Sequence, residues 1–413
     1  MPIYKAEERT MKTVVIIGSM DTKGEEFAYL KQLIEKHGLK TFVIDASALG
    51  EPKLKPDVPN SEVANAVGAD IEEVVKMGRG EAMAIMSKGA EVVIDRLYKE
   101  GKLDGIIGMG GSGGTAVATA GMRSVPVGVP KVMVSTVAAS SSIGSYIGTR
   151  DITVIPSVVD VAGLNRISRK IYANAAGAIA GMLMTEPEEV PDEKPLISAT
   201  MFGNTTPCVD RARAKMEEAG YEVLVFHCTG TGGRTMEDLI ADGFISGVLD
   251  ITTTEWADEL VGGVFSAGPT RLDSASKAGI PQVIAPGCVD MVNFGAVDTI
   301  PDKFKGRIFY QWNPNVTLMR TTPQENAEMG RIFAEKANVS TGPVVFMLPL
   351  KGVSMLDSEG EIFWLPKADK AIFDAIKQNV RKDVKVIEMD VNINDPSFAD
   401  RAVQELLNML KSL

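Results

Sequence analysis

The chain alternates between short apolar runs and longer amphipathic segments. Residues 13–17 form a β-branched run, and residues 25–37 carry apolar side chains on one helical face. A second apolar run follows at residues 39–44. This order predicts a β-α-β unit. The same alternation continues to a last amphipathic segment at residues 396–410, so we expect parallel sheets with helices on both faces.

One segment interrupts the pattern and predicts a domain boundary. Residues 186–195 are acidic and contain three prolines, which is typical of a linker. The predicted domains are residues 1–190 and residues 191–413. Residues 14–45 align without a gap with residues 196–227, and Gly38 falls on Gly220. We therefore predict an α/β fold with two Rossmann-like open parallel-sheet domains in tandem, as an internal duplication. A chance likeness between β-α-β units is the alternative.

Composition and charge exclude several classes of protein. The chain has 43 basic and 54 acidic residues, a net charge of −11, which disfavours a nucleic-acid binder or a binder of anionic membranes. Three widely spaced cysteines and two histidines indicate neither a disulfide framework nor a zinc site. The polar first ten residues do not resemble a secretory signal, and no apolar run reaches the ~20 residues of a membrane helix. We expect a cytoplasmic protein with no nucleic-acid or membrane partner.

A glycine-rich loop is the strongest candidate for chemistry. Gly108-x-Gly110-x-x-Gly113 lies between a predicted strand and a predicted helix, and five of residues 108–114 are glycine. Such a loop lets backbone N–H groups at a helix start approach a phosphate. A tight turn that packs the helix on the strand is the alternative. The predicted phosphate-binding residues are Gly110, Gly111, Ser112, Gly113, Gly114 and Thr115.

The glycine pattern does not by itself indicate NAD or a Walker A loop. An NAD site also needs an acidic residue about 20 residues further on, and residues 105–150 contain none. The Walker pattern G-x-x-x-x-G-K-[ST] is absent. The loop therefore predicts a phosphate site without a specified nucleotide.

Other polar groups follow the predicted strands of the first half, where open α/β sheets bind ligands. Lys23, beside Thr22, is a candidate for neutralising phosphate, and Asp21 is a candidate for Mg²⁺, with a solvated turn as the alternative for this loop. Asp45 is placed like a ribose-binding acid or a helix cap. Ser135 and Thr136 belong to a hydroxyl-rich loop suited to anions or to turns. Arg150 is a candidate phosphate clamp, or a partner for the neighbouring Asp151.

The second half has polar strand-end loops but no recognisable constellation. They are Thr252 to Glu259, Gly268 to Asp273, Pro286 to Asn293, and the loop that carries Lys351, Ser354 and Asp357. We expect a second pocket there, or a cleft between the domains, that holds an unidentified small molecule. His227 ends a predicted strand as a candidate base, and no catalytic residue is assigned.

Several segments together resemble the Tm-1-like ATP-binding family, which includes the N-terminal domain of a plant antiviral resistance protein. They are Ile17-Gly-Ser-Met-Asp-Thr-Lys-Gly-Glu25, Gly108-Met-Gly-Gly-Ser-Gly-Gly-Thr115, Ser135-Thr-Val-Ala-Ala-Ser140, Arg150-Asp-Ile152 and Pro286-Gly-Cys-Val-Asp-Met-Val-Asn-Phe-Gly295. The resemblance covers nearly the whole chain. It implies ATP binding in the first half with Mg²⁺, and a homodimer or higher homo-oligomer. It also leaves room for a separate TIM-barrel-like partner, because the plant protein continues into such a domain.

The sequence leaves two functions open. The first is an ATP-binding protein that acts as an ATP-dependent enzyme on a small molecule in or near the second domain. The alternative is a non-catalytic regulator or assembly module that responds to ATP. An NAD-dependent oxidoreductase is disfavoured by the missing ribose acid.

Overall fold

A computed structural model describes residues 11–48, 50–185 and 193–412. The chain divides into two compact units, residues 1–189 and residues 190–413. The linker predicted at residues 186–195 lies mostly outside the described residues, as does the polar segment at residues 1–10. Within the described part of the chain, no helix has the length and hydropathy needed to cross a membrane.

The first unit is built on a five-stranded parallel sheet with the order β2-β1-β3-β4-β5. Apolar side chains from both faces of this sheet pack against helices, which confirms the predicted doubly wound layout. Its strands are β1 (Thr13–Gly18), β2 (Lys40–Asp45), β3 (Gly105–Gly110), β4 (Lys131–Ser135) and β5 (Thr153–Pro156).

The helices of the first unit differ from the sequence prediction at two places. The first helix begins at Met20, before the helical pattern predicted from residue 25, with a distortion at Lys23. The sequence pattern predicts one helical segment at residues 60–89 and a second at residues 91–100, whereas the structure has three helices that are divided at other residues. The helices are α1 (Met20–Lys36), α2 (Asn60–Asn65), α3 (Ile71–Val74), α4 (Arg79–Lys99), α5 (Ser112–Arg123), α6 (Ile143–Ile147) and α7 (Arg166–Met184).

The second unit repeats the layout on a six-stranded parallel sheet. Its order is β7-β6-β8-β9-β13-β14, so the first five strands in sheet order are connected as in the first unit. Gly38 and Gly220, aligned in the sequence, both have a left-handed backbone after the first helix of their unit. The parallel strands are β6 (Leu196–Met201), β7 (Glu222–His227), β8 (Ile245–Thr252), β9 (Gln282–Gly287), β13 (Val344–Pro349) and β14 (Lys385–Met389).

A small antiparallel sheet lies between β9 and β13 in the chain, and the sequence analysis missed it. Its order is β10-β12-β11, with β10 (Met291–Phe294), β11 (Phe309–Asn313) and β12 (Val316–Arg320). These strands are short, and the central β12 is almost fully buried. The helices of this unit are α8 (Thr206–Glu218), α9 (Thr231–Ala241), α10 (Glu255–Val261), α11 (Ser274–Ala278), α12 (Pro323–Asn338), α13 (Pro366–Asn379) and α14 (Pro396–Leu410).

Candidate functional site

A cavity of about 410 Å³ lies in the first unit at the carboxyl ends of β1 and β3. The sheet order reverses between these two strands, and open α/β sheets bind ligands at such a switch point. Seven of the predicted site residues line it: Asp21, Thr22, Lys23, Gly111, Ser112, Gly113 and Gly114. The fold therefore brings the two loops of the first unit with the clearest sequence signals into one site.

The start of α5 is open to this cavity. A helix leaves its first N–H groups without intrahelical acceptors. Within the described chain, the N–H groups of Ser112, Gly113 and Gly114 donate to no protein acceptor, and the N–H of Thr115 closes the first turn onto the carbonyl of Gly111 at 2.8 Å. Three N–H groups and the positive end of a helix dipole thus face the cavity.

The glycines of this loop have different roles. A Cβ at Gly108 would lie 2.6 Å from Cβ of Ala118, and a Cβ at Gly110 would lie 2.9 Å from Cα of Gly114. These two glycines serve close packing of α5 on β3. At Gly111 a Cβ would meet only the Thr136 hydroxyl, at 3.7 Å. None of the glycines at 108–114 has a positive φ, so a left-handed backbone explains none of them, and close packing explains Gly108 and Gly110.

The start of α1 faces the same end of the sheet, but its N–H groups are already bonded. The carboxylate of Asp45 accepts from the N–H of Met20 at 3.1 Å, and the hydroxyl of Ser47 accepts from the N–H of Asp21 at 3.1 Å. Asp45 is fully buried and does not line the cavity, and burial raises the pKa of its carboxyl. Asp45 therefore acts as a cap for α1, the second of the two predicted roles.

Two acids and two cations surround the cavity. Asp21 is 8% exposed, its Oδ1 accepts from the N–H of Thr22 at 2.6 Å, and its Oδ2 accepts no hydrogen bond within the described residues. The ammonium of Lys23 donates to the carbonyl of Val161, next to Asp160 in the wall. Lys23 thus ties residues 160–161 to the start of α1.

The second cation of the cavity, Arg79, was missed by the sequence analysis. Arg79 is the first residue of α4, and one of its guanidinium nitrogens lies 4.0 Å from the Cβ position of Gly113. The apolar residues Val74, Val75, Met77 and Met83 form the wall beside it. The only sequence signal for this wall is Gly78-Arg79-Gly80 inside a helical pattern.

The remaining predicted residues lie outside the cavity lining. The hydroxyls of Thr115 and Ser135 bond each other at 2.7 Å beneath the loop, and both side chains are buried. Thr136 is exposed beside Gly111. Arg150 is half-buried away from the lining, and the carboxylate of its neighbour Asp151 pairs with Lys131 at 2.8 Å.

The second unit contains a comparable glycine-rich loop that the sequence analysis did not single out. Gly230 to Gly233 spans the N-cap and first turn of α9, and the N–H groups of Gly230 and Gly233 donate to the carboxylate of Glu255 at 2.8 Å and 3.0 Å. A Cβ at Gly233 would lie 1.9 Å from that carboxylate. An anion of the chain itself therefore occupies this helix start.

A fully buried guanidinium holds Glu255 in place. Arg271 donates to Glu255 at 2.9 Å and to both oxygens of Asp250 at 2.6 Å, and it lies 3.3 Å from Glu237. Arg271 is 1% exposed. Asp250 precedes the predicted loop at Thr252 to Glu259, and Glu255 lies within it. The acids around Arg271 stabilise the fold and do not line a described pocket.

Other acids of the predicted second pocket are also paired internally. Asp258 accepts from the side chain of Asn293 at 2.6 Å and from its N–H at 2.9 Å. Asp290 accepts from the hydroxyl of Ser354 at 2.8 Å, and Arg320 pairs with Asp357 and Asp369 at 3.4 Å and 2.7 Å. Burial raises the pKa of Asp290, Asp357 and Asp369, and burial raises the pKa of Asp258 to about 7.

These buried acids predict that the second unit loses stability as pH rises. Unfolded Asp258 would titrate at about pH 4, so between about pH 4 and pH 7 the folded chain binds more protons than the unfolded chain. The protonated carboxyl of Asp258 contributes stability that is fully present below about pH 4 and is lost as the pH rises through about 7. We expect the free energy of unfolding, measured with urea, to be roughly 2 kcal/mol lower at pH 8 than at pH 5.

Asp258→Asn provides the matched variant for this pH dependence. The amide keeps the size of the carboxyl but cannot ionise, so the difference in stability between pH 5 and pH 8 should shrink. An unchanged slope in the variant would show that Asp258 does not titrate in this range.

The described strand-end groups include no metal cluster, and the predicted base has no hydrogen-bonded acid or nucleophile among the described residues. No group of three or more His, Cys, Asp or Glu side chains is arranged to hold a metal ion among the described residues. His227 is the last residue of β7, its ring lies 5.5 Å from the ring of Phe202, and partial burial lowers its pKa. Its imidazole makes no hydrogen bond or ion pair with an acid or a nucleophile of the described chain, so the structure adds no support for its predicted role as a base.

Comparison with known proteins places the two units in one family. The model of the Uncharacterised protein family (UPF0261) N-terminal domain matches residues 12–188, and that of its C-terminal domain matches residues 194–410. A UPF0261 protein of Clostridium tetani is 52% identical over 402 residues, which cover 97% of this chain and 99% of the relative. Both predicted halves of the chain therefore have counterparts in the same family.

A plant relative confirms the predicted kinship with Tm-1. The tomato (Solanum lycopersicum) protein named ToMV resistance protein Tm-1(GCR237) is 40% identical over 422 residues, which cover 96% of this chain and 55% of the plant protein. ATP binding stays a prediction. Among solved structures, UDP-N-acetylglucosamine 2-epimerase from Rickettsia bellii is 11% identical, with coverage of 98% of this chain and 97% of its own. Its TM-score of 0.24 is too low to support an argument.

Proposed function

We propose that this chain, which belongs to the uncharacterised protein family UPF0261, binds ATP in its first unit, with the phosphates at the start of α5. One observation carries the proposal: three N–H groups, of Ser112, Gly113 and Gly114, face a cavity without any protein acceptor among the described residues. A helix start of this kind binds anions through its N–H groups and its dipole.

The contrast between helix starts supports an external anion at α5. The start of α1 is bonded by Asp45 and Ser47, and the start of α9 is bonded by Glu255. Both of these helix starts receive their anion or hydroxyl from the chain. The start of α5 receives none from the residues that the structure describes, and it opens on about 410 Å³ of space.

The groups around α5 suit a nucleotide with Mg²⁺. Mg²⁺ in nucleotide sites is usually held by one or two carboxylates together with substrate phosphates. Asp21 supplies one largely buried carboxylate at the cavity wall, with one oxygen that no described residue bonds. Lys23 and Arg79 supply positive charge, and the wall of Val74, Val75, Met77 and Met83 supplies apolar surface for a nucleobase.

NAD fits less well than ATP. A dinucleotide site uses an acid at the end of the second strand for the ribose hydroxyls. Here that acid is Asp45, which is fully buried and bonded to the start of α1. No acidic residue follows the glycine loop through residue 150.

Bound ATP would serve one of two purposes. As an enzyme, the protein would use ATP on an unidentified small molecule in or near the second unit. As a regulator or assembly module, it would respond to ATP without turnover, and the internal pairing of Glu255, Asp258 and Asp290 favours this second purpose. Release of phosphate from Mg-ATP, with and without a panel of metabolites, separates the two.

The proposal also includes an assembly. By its resemblance to the Tm-1-like family, the protein is expected to form a homodimer or higher homo-oligomer and to bind a separate TIM-barrel-like partner. The chain spans 55% of the length of the tomato relative. Light scattering on the purified chain with and without ATP measures the oligomeric state. A monomer under both conditions would overturn the dimer.

Calorimetric titration tests nucleotide binding directly. The chain is titrated with ATP, with and without Mg²⁺, and with NAD as the control. We expect heat of binding for ATP, stronger with Mg²⁺, and none for NAD. Absence of ATP binding under both conditions would contradict the proposed function.

A further inference from the structure

The segment Val74 to Gly80, which we name the strap, lines one side of the cavity and is held mainly by local backbone hydrogen bonds. Val74, Val75, Met77 and Arg79 line the cavity, yet every residue from 75 to 80 is exposed. Only Val74, at the end of α3, is buried. A segment with few buried contacts opens and closes at low cost.

Two glycines give the strap freedom on both sides of Arg79. A Cβ at Gly78 or at Gly80 would meet nothing within 4 Å, so neither glycine is required by packing. The backbone at Gly78 is extended, and α4 begins at the next residue. Glycine at both positions lowers the barrier to backbone rotation beside the guanidinium.

Arg79 differs from Lys23, the other cation of the cavity, in its contacts. The ammonium of Lys23 donates to the carbonyl of Val161. The guanidinium of Arg79 has neither an ion pair nor a hydrogen bond with any described residue, and it lies beside the first turn of α5, 4.0 Å from the Cβ position of Gly113. It is therefore available to an anion that extends from the start of α5 into the cavity.

The position of Arg79 is unfavourable for the fold alone. A cation at the first position of a helix meets the positive end of the dipole, which destabilises the helix. Arg79 stands at the first position of α4 without an ion pair to any described acid, and Glu81 in the same turn offsets part of this repulsion. An anion in the cavity beside Arg79 would offset the rest.

We infer that Arg79 determines specificity for the length of the phosphate chain: the strap closes and the guanidinium binds the outer phosphates of a nucleoside triphosphate. This inference rests on the proposed function and adds to it a residue and a movement. An arginine fork binds phosphate oxygens in pairs, and each further phosphate adds charge and acceptors within its reach. A monophosphate held at α5 gains little from it.

The test is an affinity series for ATP, ADP and AMP with Mg²⁺, measured by calorimetry on the parent, Arg79→Gln and Arg79→Lys. We expect Arg79→Gln to lower the affinity for ATP at least about tenfold, the loss of one charge-assisted hydrogen bond, while the affinity for AMP changes less than about twofold. Arg79→Lys should recover part of the loss, since it keeps the charge and loses the fork. Lys88→Gln, a change of the same charge elsewhere on α4, is the control and should leave all three affinities unchanged.

Hydrogen exchange gives a second measurement on the unmodified chain. ATP should protect the amides of residues 75–80, and AMP should not. Two results would overturn the role of Arg79 without contradicting ATP binding. The first is an equal loss of affinity for ATP, ADP and AMP in Arg79→Gln, and the second is a lack of protection of the strap amides in the ATP-bound parent. A parent that binds no nucleotide would overturn both.

Discussion

Gly111→Asp is expected to weaken nucleotide binding strongly and to leave the fold intact. Gly111 is the N-cap of α5 with φ −76° and ψ −163°, a backbone that any residue adopts, and a Cβ there meets only the hydroxyl of Thr136 at 3.7 Å. Aspartate is a preferred N-cap, so its carboxylate would accept from the free N–H groups of α5. The new carboxylate would then occupy the phosphate site, and its negative charge would repel the phosphate.

The expected loss of ATP affinity is at least about 100-fold, which corresponds to ~2.7 kcal/mol. Charge-assisted hydrogen bonds contribute about 1.5–3 kcal/mol each, and the variant removes more than one of them. Calorimetric titration measures the affinity, and circular dichroism with thermal unfolding checks the fold. We expect the melting temperature to stay the same or to rise, because the helix gains a cap.

Gly111→Asn is the matched control for charge. Asparagine caps a helix as well as aspartate and has nearly the same size, but it carries no charge. The asparagine variant should lower the affinity for ATP much less than the aspartate variant does. Equal binding of ATP by Gly111→Asp and the parent would place the nucleotide elsewhere and contradict the site at α5.

Arg271→Met is expected to destabilise the second unit strongly. The guanidinium is fully buried and bonds Asp250 and Glu255, with Glu237 at 3.3 Å. Methionine fills much of the space but leaves three acids without their cation. Removing one partner of a buried ion pair typically costs about 3–5 kcal/mol. The loss of stability should be larger at pH 8 than at pH 5, because the three acids without their cation must take up protons to stay buried.

Tryptophan fluorescence during urea unfolding follows this unit, since Trp256, Trp312 and Trp364 all belong to it. Arg331→Met is the control, because Arg331 is exposed and pairs with Glu328 and Glu335 at the surface. It should change stability by less than about 1 kcal/mol. Similar effects of the two variants would show that the buried cluster contributes no more than a surface pair.

Helix and strand order was predictable from local patterns, and the misses have physical causes. The final helix was predicted at its observed bounds, residues 396–410, because its apolar periodicity is strong. The start of α1 was predicted too late, since the N–H groups of Met20 and Asp21 are bonded by Asp45 and Ser47, which are more than 20 residues away in the sequence. The antiparallel sheet of β10, β11 and β12 was missed because its short strands lack clear alternation.

Local sequence patterns were enough to establish two α/β units and a glycine loop at a helix start in the first of them. They could not show that the glycines at the start of α9, Gly230 to Gly233, are already occupied by an acid of the chain. The folded chain shows which of the two is open. Glu255 reaches the second loop from 25 residues away along the chain, and no residue of the described chain does the same at Ser112 to Gly114. Whether a helix start can bind an external anion depends on side chains that are distant in sequence. Local sequence patterns do not indicate which of these side chains reach the helix start.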